Sequence, residues 1–305
     1  QSIENPRFGM TVFAISTVCN TLGNYILIFG KLGLPALGIT GAAIATFSSR
    51  VVEFVISLVY ALRCKQMPLM PTCILRPGKA TFRSFVKFST PVLLNETLWG
   101  TGTSLYTVIM GHMAGSTDLI SAYTVAGNID KMVTVAIFGV AAAAAVIVGK
   151  EVGMGGKNAY PIGQALTFVA FCTGFGVAIA EQLLFWLVLK PHVLPLFSMT
   201  AASASLCVTM MICYSISAPL HAFATTGIVG VLRGGGDVRA AMLIDLLPLW
   251  LFTLPLLVLL GLILHAPIAL FCFVMAMESA LKVPFGLHRI HSGKWIHDVT
   301  KELEP

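Results

Sequence analysis

The chain has 305 residues, 57% of them hydrophobic and 10% charged, with a mean hydropathy of +0.88 and a formal net charge of +6. A water-soluble domain carries roughly a quarter charged residues, and a soluble protein of this size has too much surface to cover with so few. A soluble enzyme and a nucleic-acid-binding domain are therefore excluded, and a chain embedded in lipid is expected.

A membrane-spanning helix needs about 20 mostly apolar residues. Such stretches run over about 8–30, 38–62, 84–111, 118–149, 160–189, 200–232, 240–264 and 266–287. They are long and continuous, without the two-residue alternation of a membrane β-barrel. Helices satisfy every backbone group internally, as lipid requires. The expected fold class is therefore all-α: a polytopic membrane protein with eight transmembrane helices.

Charge follows the same alternation. Fifteen basic residues, from Arg7 and Arg63 through Lys150, Arg233 and Lys282 to Lys301, fall on one side; Lys31 and Lys190 fall on the other, and Arg50 and Lys131 lie within spans. The positive-inside rule then places the 63–87 loop and the C-terminus in the cytoplasm. The net charge is thus a topology signal and not a nucleic-acid footprint. Seven cysteines show no CxxC spacing, and Cys64 and Cys73 fall in the cytoplasmic loop, where thiols stay reduced. They read as small apolar filler. The chain begins at Gln1 with no signal peptide, and is expected to be a fragment.

The strongest internal boundary is the loop Arg63–Lys87, with Pro68, Pro71, Pro77 and Gly78. Gly149–Pro161 and Leu232–Arg239 mark two further cytoplasmic turns. Their glycine-rich strings, GMGGK and LRGGGD, do not fit a phosphate-binding loop, because neither has its spacing or follows a strand. Asn5–Met10 and Asp237–Met242 share an Arg and a Met at equal spacing. As an internal repeat, this makes the first two spans the end of a six-span half.

A charge inside the membrane costs about 2.5–3.5 kcal/mol on insertion scales, so each one is a candidate for function. Arg50 with Glu53 and Glu278 with Lys282 stand at helical spacing and are expected to neutralise each other. Asp130 adjoins Lys131, which points to another face; Glu181 lies near a span end and is expected to reach water; Asp245 lies about one and a half turns into its span. Glu96 stands apart, near mid-span with no basic residue within a helical turn. Pro91, Asn95, Gly100 and Gly102 lie close to it, and a carboxylate beside a broken helix suits an ion or proton site. Asn20 and Asn24 share one helix face, where amide oxygens suit a hard cation or a buried acid. His221 follows Pro219 inside a span, while His288, His291 and His297 lie in a basic amphipathic end.

Three segments carry a family resemblance. NYILIFGKLGLPALGITGAAIAT (24–46) resembles the fifth span, outer loop and sixth span of multidrug and toxic compound extrusion (MATE) transporters. STPVLLNETLW (89–99) resembles their seventh span, and GVLRGGGD (230–237) the turn between their tenth and eleventh. The resemblance implies two six-helix lobes, of which this chain holds spans five to twelve. It implies an antiporter in which sodium ions or protons run inward while an organic, often cationic, compound leaves. Glu96 matches a seventh-span carboxylate that one branch uses for coupling. Asn20 and Asn24 match fifth-span polar positions of the N-terminal lobe's cation site, whose aspartate lies in the first span. That branch also has a tenth-span aspartate where this chain has Ala222 beside His221, so a two-carboxylate site in the C-terminal lobe is not expected from these positions.

The expected organisation is 1–62 as the last two spans of the N-terminal lobe, 63–83 as a basic inter-lobe loop, 84–289 as a six-span C-terminal lobe and 290–305 as a cytoplasmic tail. The expected function is secondary active multidrug efflux, not enzymatic. Glu96 and Asn95 are the coupling candidates, Asn20 and Asn24 the N-lobe cation-site residues, and His221, Asp130 and Asp245 further cavity residues. No cofactor or metal is expected beyond sodium as a coupling ion. The expected partners are small organic substrates, the bilayer of the plasma membrane and four preceding spans, with no nucleic acid. The alternatives are a lipid-linked saccharide flippase, which needs more cavity cations than Arg50 and Lys131, and an integral membrane enzyme, which needs a catalytic cluster at one depth.

Overall fold

The computed structural model describes residues 6–33, 35–63, 78–193, 195 and 199–297. Eight helices account for these residues: α1 Pro6–Phe29, α2 Gly38–Arg63, α3 Lys79–Gly111, α4 Ser116–Gly153, α5 Ala159–His192, α6 Ala201–Leu232, α7 Val238–Ile263 and α8 Ile268–His291. Among the described residues there is no strand, only an isolated antiparallel bridge from Gly236 to Ile296. Among the described residues, seven helices are long and apolar enough to cross a membrane. The exception is α3, whose 33 residues include the polar run Asn95, Glu96, Thr97, Thr101, Thr103 and Ser104. The all-α polytopic expectation is met, and α3 is the helix whose apolar content falls short. Much of the outer surface is Phe, Leu, Ile and Val, such as Phe47, Phe54, Phe168 and Leu187. Water would penalise so broad an apolar surface, whereas lipid accepts it.

The chain divides into two compact units, Gln1–Lys79 and Ala80–Pro305. In the first, α1 and α2 form a helical hairpin. Gly41 permits the contact, because a Cβ there would stand 2.6 Å from the Leu27 carbonyl oxygen. The loop expected over 63–83 is shorter than that range: 64–77 lie outside the described residues, with Cys64 and Cys73 among them, and Lys79 and Arg83 already belong to α3.

In the second unit α4, α5 and α6 pack against one another, and α8 packs on α6. Small residues set these crossings, as expected where lipid supplies no hydrophobic drive between helices. A Cβ on Gly174 of α5 would lie 2.5 Å from Pro219 Cα and 2.9 Å from the Ala218 carbonyl oxygen of α6. On Gly230 of α6 it would lie 3.0 Å from the Ala141 carbonyl oxygen of α4. The described residues form two large apolar clusters, one around Met110, Leu119, Met210 and Phe271, the other around Val148, Phe223, Val231 and Trp295, and a smaller one of Ile137, Val177, Ala218 and Ala222.

The LRGGGD string is structural. Gly236 turns with φ +92, and Asp237 caps α7 through Oδ1, which accepts from the Ala240 amide at 3.4 Å. Asp237 Oδ2 also accepts from Arg289 Nε at 2.6 Å. A side chain on Gly235 would collide with the Trp295 ring, 2.3 Å away. Trp295 is fully buried and anchors the start of the tail expected from residue 290, while His291, Ser292, Lys294 and His297 are exposed.

Substitution tests the close α5–α6 approach. Gly174→Ala is expected to destabilise by about 1–3 kcal/mol, because backbone atoms must move. Gly176→Ala, with nothing within 4 Å, is expected to be nearly silent. Thermal unfolding in detergent compares the two, and equal midpoints would show that the helices cross less closely.

Candidate functional site

Three charged side chains meet inside the second unit. Lys282 of α8 places its Nζ 2.7 Å from Asp245 Oδ1 of α7 and 2.6 Å from Glu278 Oε1, one turn earlier on its own helix. Tyr106 of α3 donates its hydroxyl to Glu278 Oε2 at 2.6 Å, and Asn95 of α3 donates Nδ2 to Asp245 Oδ2 at 2.9 Å. Lys282, Glu278, Tyr106 and Asn95 are all buried. Each of the four carboxylate oxygens thus has a partner, two of them sharing the Lys282 ammonium, the arrangement that makes buried ions tolerable.

Local structure explains how these residues face inward. α8 is interrupted at Met277, with φ −80 and ψ 4, so Glu278 opens a new helical segment. A carboxylate is favoured at that position by the segment's dipole. Pro248 follows Asp245 by three residues and begins a widened, π-type stretch of α7. Pro91 stands four residues before Asn95 and Pro219 two before His221. Each network-bearing helix therefore carries a proline near its contribution, where a backbone carbonyl loses its donor and the helix bends.

Two cavities flank the network. One, of about 90 Å³, is lined by Glu96, Trp99, His221, Arg233, Asp245 and Lys282 with apolar neighbours. The other, of about 150 Å³, is lined by Asp130, Thr134, Tyr214, Ser217, His221 and Glu278. His221 and Ser279 border both, with His221 Nδ1 and Ser279 Oγ 3.4 Å apart. Among the described residues, no cluster of three His, Cys, Asp or Glu side chains suits a metal ion.

Several expectations are corrected here. Glu96 is not unpaired: Arg233 of α6, 137 residues away, donates Nη1 to its Oε1 at 2.7 Å. The Glu96 side chain is 56% exposed within its unit, so it sits at the rim of the cavity. Lys282, counted with the cytoplasmic residues, is the buried hub of the network. Glu181 does not reach water; it is fully buried, and neither carboxylate oxygen has a hydrogen-bond partner among the described residues. Ala222 is pressed against Gly174, leaving no room for a carboxylate there. A two-carboxylate site exists after all, built from α7 and α8. Asp245, Asn95 and His221 come together around it, and Asp130 borders the second cavity.

In the first unit Asn24 Nδ2 donates to Asn20 Oδ1 at 3.0 Å, so the shared face is real. Asn20 Nδ2 lies 3.3 Å from Thr46 Oγ1 and 3.5 Å from Ser49 Oγ of α2. Asn24 Oδ1 is buried and has no hydrogen-bond partner among the described residues. Arg50 and Glu53 pair at 2.7 Å as expected.

A wider pocket, of about 890 Å³, lies beside the start of α4. Thr117, Ser121, Thr124, Asn128 and Met132 recur on one helical stripe there, and Leu189 and Met199 also line the pocket. Its carboxylate, Asp118, already accepts from Thr200 Oγ1 at 2.5 Å and Ser203 Oγ at 2.6 Å.

Residues 91–259 match the family model described as MatE. The chain is similar to the probable multidrug resistance protein NorM of Bacillus thuringiensis, 27% identical over 266 residues, covering 84% of this chain and 55% of that protein. It is likewise 27% identical over 257 residues to the multidrug resistance protein MdtK of Edwardsiella ictaluri, covering 81% and 53%. A solved MATE in its straight conformation superposes with a TM-score of 0.73 at 18% identity, over 93% of this chain and 63% of that one. The chain thus spans about half the length of the relatives it matches.

Charge burial ranks the acids by their structural weight. Glu278→Gln leaves Lys282 half-paired in the interior and is expected to cost roughly 3 kcal/mol or more. Glu96→Gln removes an exposed partner and is expected to cost about 1 kcal/mol or less. Thermal unfolding of the two variants in detergent decides; equal losses would mean the buried network has no special standing.

Proposed function

This chain belongs to the MatE family, and from that we propose that it forms part of a secondary active multidrug efflux antiporter. It exports organic, often cationic, compounds in exchange for inward cations by alternating access. The observation that carries this reading is the buried Asp245–Lys282–Glu278 network, flanked by two cavities inside a helical membrane bundle. Intramembrane ionisable groups facing a cavity are the usual means of tying a carrier's energy to an ion. A catalytic reading lacks support, because the relatives' names describe drug resistance and none describes a reaction.

In this reading α3–α8 form the C-terminal lobe, and α1–α2 close an N-terminal lobe that preceding spans complete. Asn20 and Asn24 contribute polar groups to that lobe's cation site. The 63–87 region and the C-terminus face the cytoplasm of a plasma-membrane protein. The wide α4 pocket suits varied organic substrates, since its lining mixes aliphatic chains and hydroxyls with the adaptable thioethers of Met132 and Met199. Coupling rests on Asp245, with Asn95 as its hydrogen-bond partner, Glu96 at the rim with Arg233, and His221 and Asp130 bordering the cavities. Asp245 takes the leading place over Glu96 because its charge is shielded from solvent and tied to three helices.

The test is ethidium efflux from energised vesicles carrying the two-lobe transporter. Asp245→Asn is expected to lower the rate about tenfold or more at equal protein level. Wild-type rates in that variant would remove Asp245 from coupling, and no efflux from the unsubstituted protein under any ion gradient would overturn the antiport reading.

A further inference from the structure

Two carboxylates from different helices, facing one centre inside a membrane, form the frame of a small-cation site. Here that centre is filled by the chain itself, since Lys282 Nζ stands 2.7 Å from Asp245 and 2.6 Å from Glu278. We propose that Lys282 is a tethered ammonium standing where a transported metal ion would otherwise sit, and that the site therefore exchanges a single proton, taken up at Asp245 and accommodated by Asn95. This rests on the antiport reading and names the ion that the site uses.

Charge arithmetic gives the first support. Two carboxylates and one ammonium leave one negative charge in excess. A proton removes it without needing space, whereas a hydrated or even a bare metal ion would have to displace Lys282. The surrounding groups do not cancel the excess. On α3, Tyr106 contributes a neutral hydroxyl, and Glu96 is matched by Arg233 of α6. On α4, Asp130 borders the far cavity and adjoins Lys131, so the two bring no net charge to the site, while His221 of α6 faces Ser279.

Hydrogen bonding gives the second support and selects the acid. Glu278 is closed off, with one oxygen accepting from Tyr106 and the other from Lys282. Asp245 lines the cavity that Glu96 rims, so a proton can arrive from there. Its Oδ2 now accepts from Asn95 Nδ2, while Asn95 Oδ1, buried on the same amide, has no partner among the described residues. Turning that amide over presents Oδ1 to Asp245 Oδ2. A protonated Asp245 can then donate O–H to Asn95 Oδ1, while Nδ2 moves to the place that Oδ1 left. The step is balanced: one proton passes from cavity water to Oδ2, an O–H bond forms, and the site changes from one excess negative charge to none. Lys282 keeps its charge throughout, held by Glu278.

The two-lobe transporter, purified and reconstituted, tests this with tetraphenylphosphonium as the probe cation. Binding of the probe in weak buffer is expected to release about one proton per cation from the unsubstituted protein, and none from Asp245→Asn. Sodium chloride and choline chloride at equal ionic strength are expected to give the same unfolding midpoint for the unsubstituted protein. In Lys282→Ala the emptied dicarboxylate is expected to bind sodium, so sodium alone raises the midpoint and transport becomes sodium-dependent. Sodium-specific stabilisation of the unsubstituted protein, or efflux that runs on a sodium gradient at zero pH difference, would overturn the proposal even if Lys282→Ala fails to fold. So would a folded Lys282→Ala that ignores sodium. Absence of any probe transport would instead defeat the antiport reading itself.

Discussion

The ammonium of Lys282, held between Asp245 and Glu278, is the contact around which the second unit is organised. Lipid offers no water to these charges, and each ion buried alone costs several kcal/mol. At contact distance and an effective dielectric of about 20, each attraction returns roughly 4 kcal/mol or more, so one ammonium facing two carboxylates approaches balance only when every remaining oxygen is hydrogen-bonded. Tyr106 and Asn95 complete that requirement. Both lie on α3, the least apolar of the eight helices, so the network supplies a reason for α3 to dock where its own hydrophobicity is weak. The same two bonds tie α3 to α7 and α8.

Such a network needs helices that are broken in the right places. An unbroken apolar helix has no spare polarity at mid-membrane. Pro91, Pro219, Pro248 and the interruption at Met277 each stand within about one turn of a network or cavity residue. Around these irregular points the crossings are kept tight by Gly174, Gly230 and Gly234, which leave backbone against backbone. Rigid contact surfaces with local breaks between them allow segments to move as bodies around a fixed polar centre, which is how a carrier changes access without losing its site.

The sequence made the fold legible because bilayer thickness imposes its own length scale: apolar runs at about 200–232 and 240–264 became Ala201–Leu232 and Val238–Ile263. Local pairs were legible too, since Arg50–Glu53 and Glu278–Lys282 lie within one helical turn. Contacts between helices were not. Asp245 and Lys282 are 37 residues apart, Asn95 and Asp245 150, and Glu96 and Arg233 137, so nothing in local spacing links them. Glu181 shows the complementary limit. Its distance from a span end suggested water, but burial is set by the helices packed around it. Ala222 marked a position without a carboxylate; what periodicity lacked was the pair that α7 and α8 bring together from elsewhere.

That pair also bears on how exchange arises. A site with one uncompensated negative charge, enclosed by apolar clusters on two sides, is costly in a dry state whatever conformation the bundle adopts. On the antiport proposed above, a proton on Asp245 relieves that cost, and so does the positive charge of an organic cation held elsewhere in the lobe. The two therefore compete for one charge, and a conformation that closes over the site closes readily with either and poorly with neither. In the antiport proposed above, that shared preference would couple the two fluxes by linkage. On this argument the lysine is more than a structural counter-ion: it reduces two negative charges to one, so that a single proton suffices.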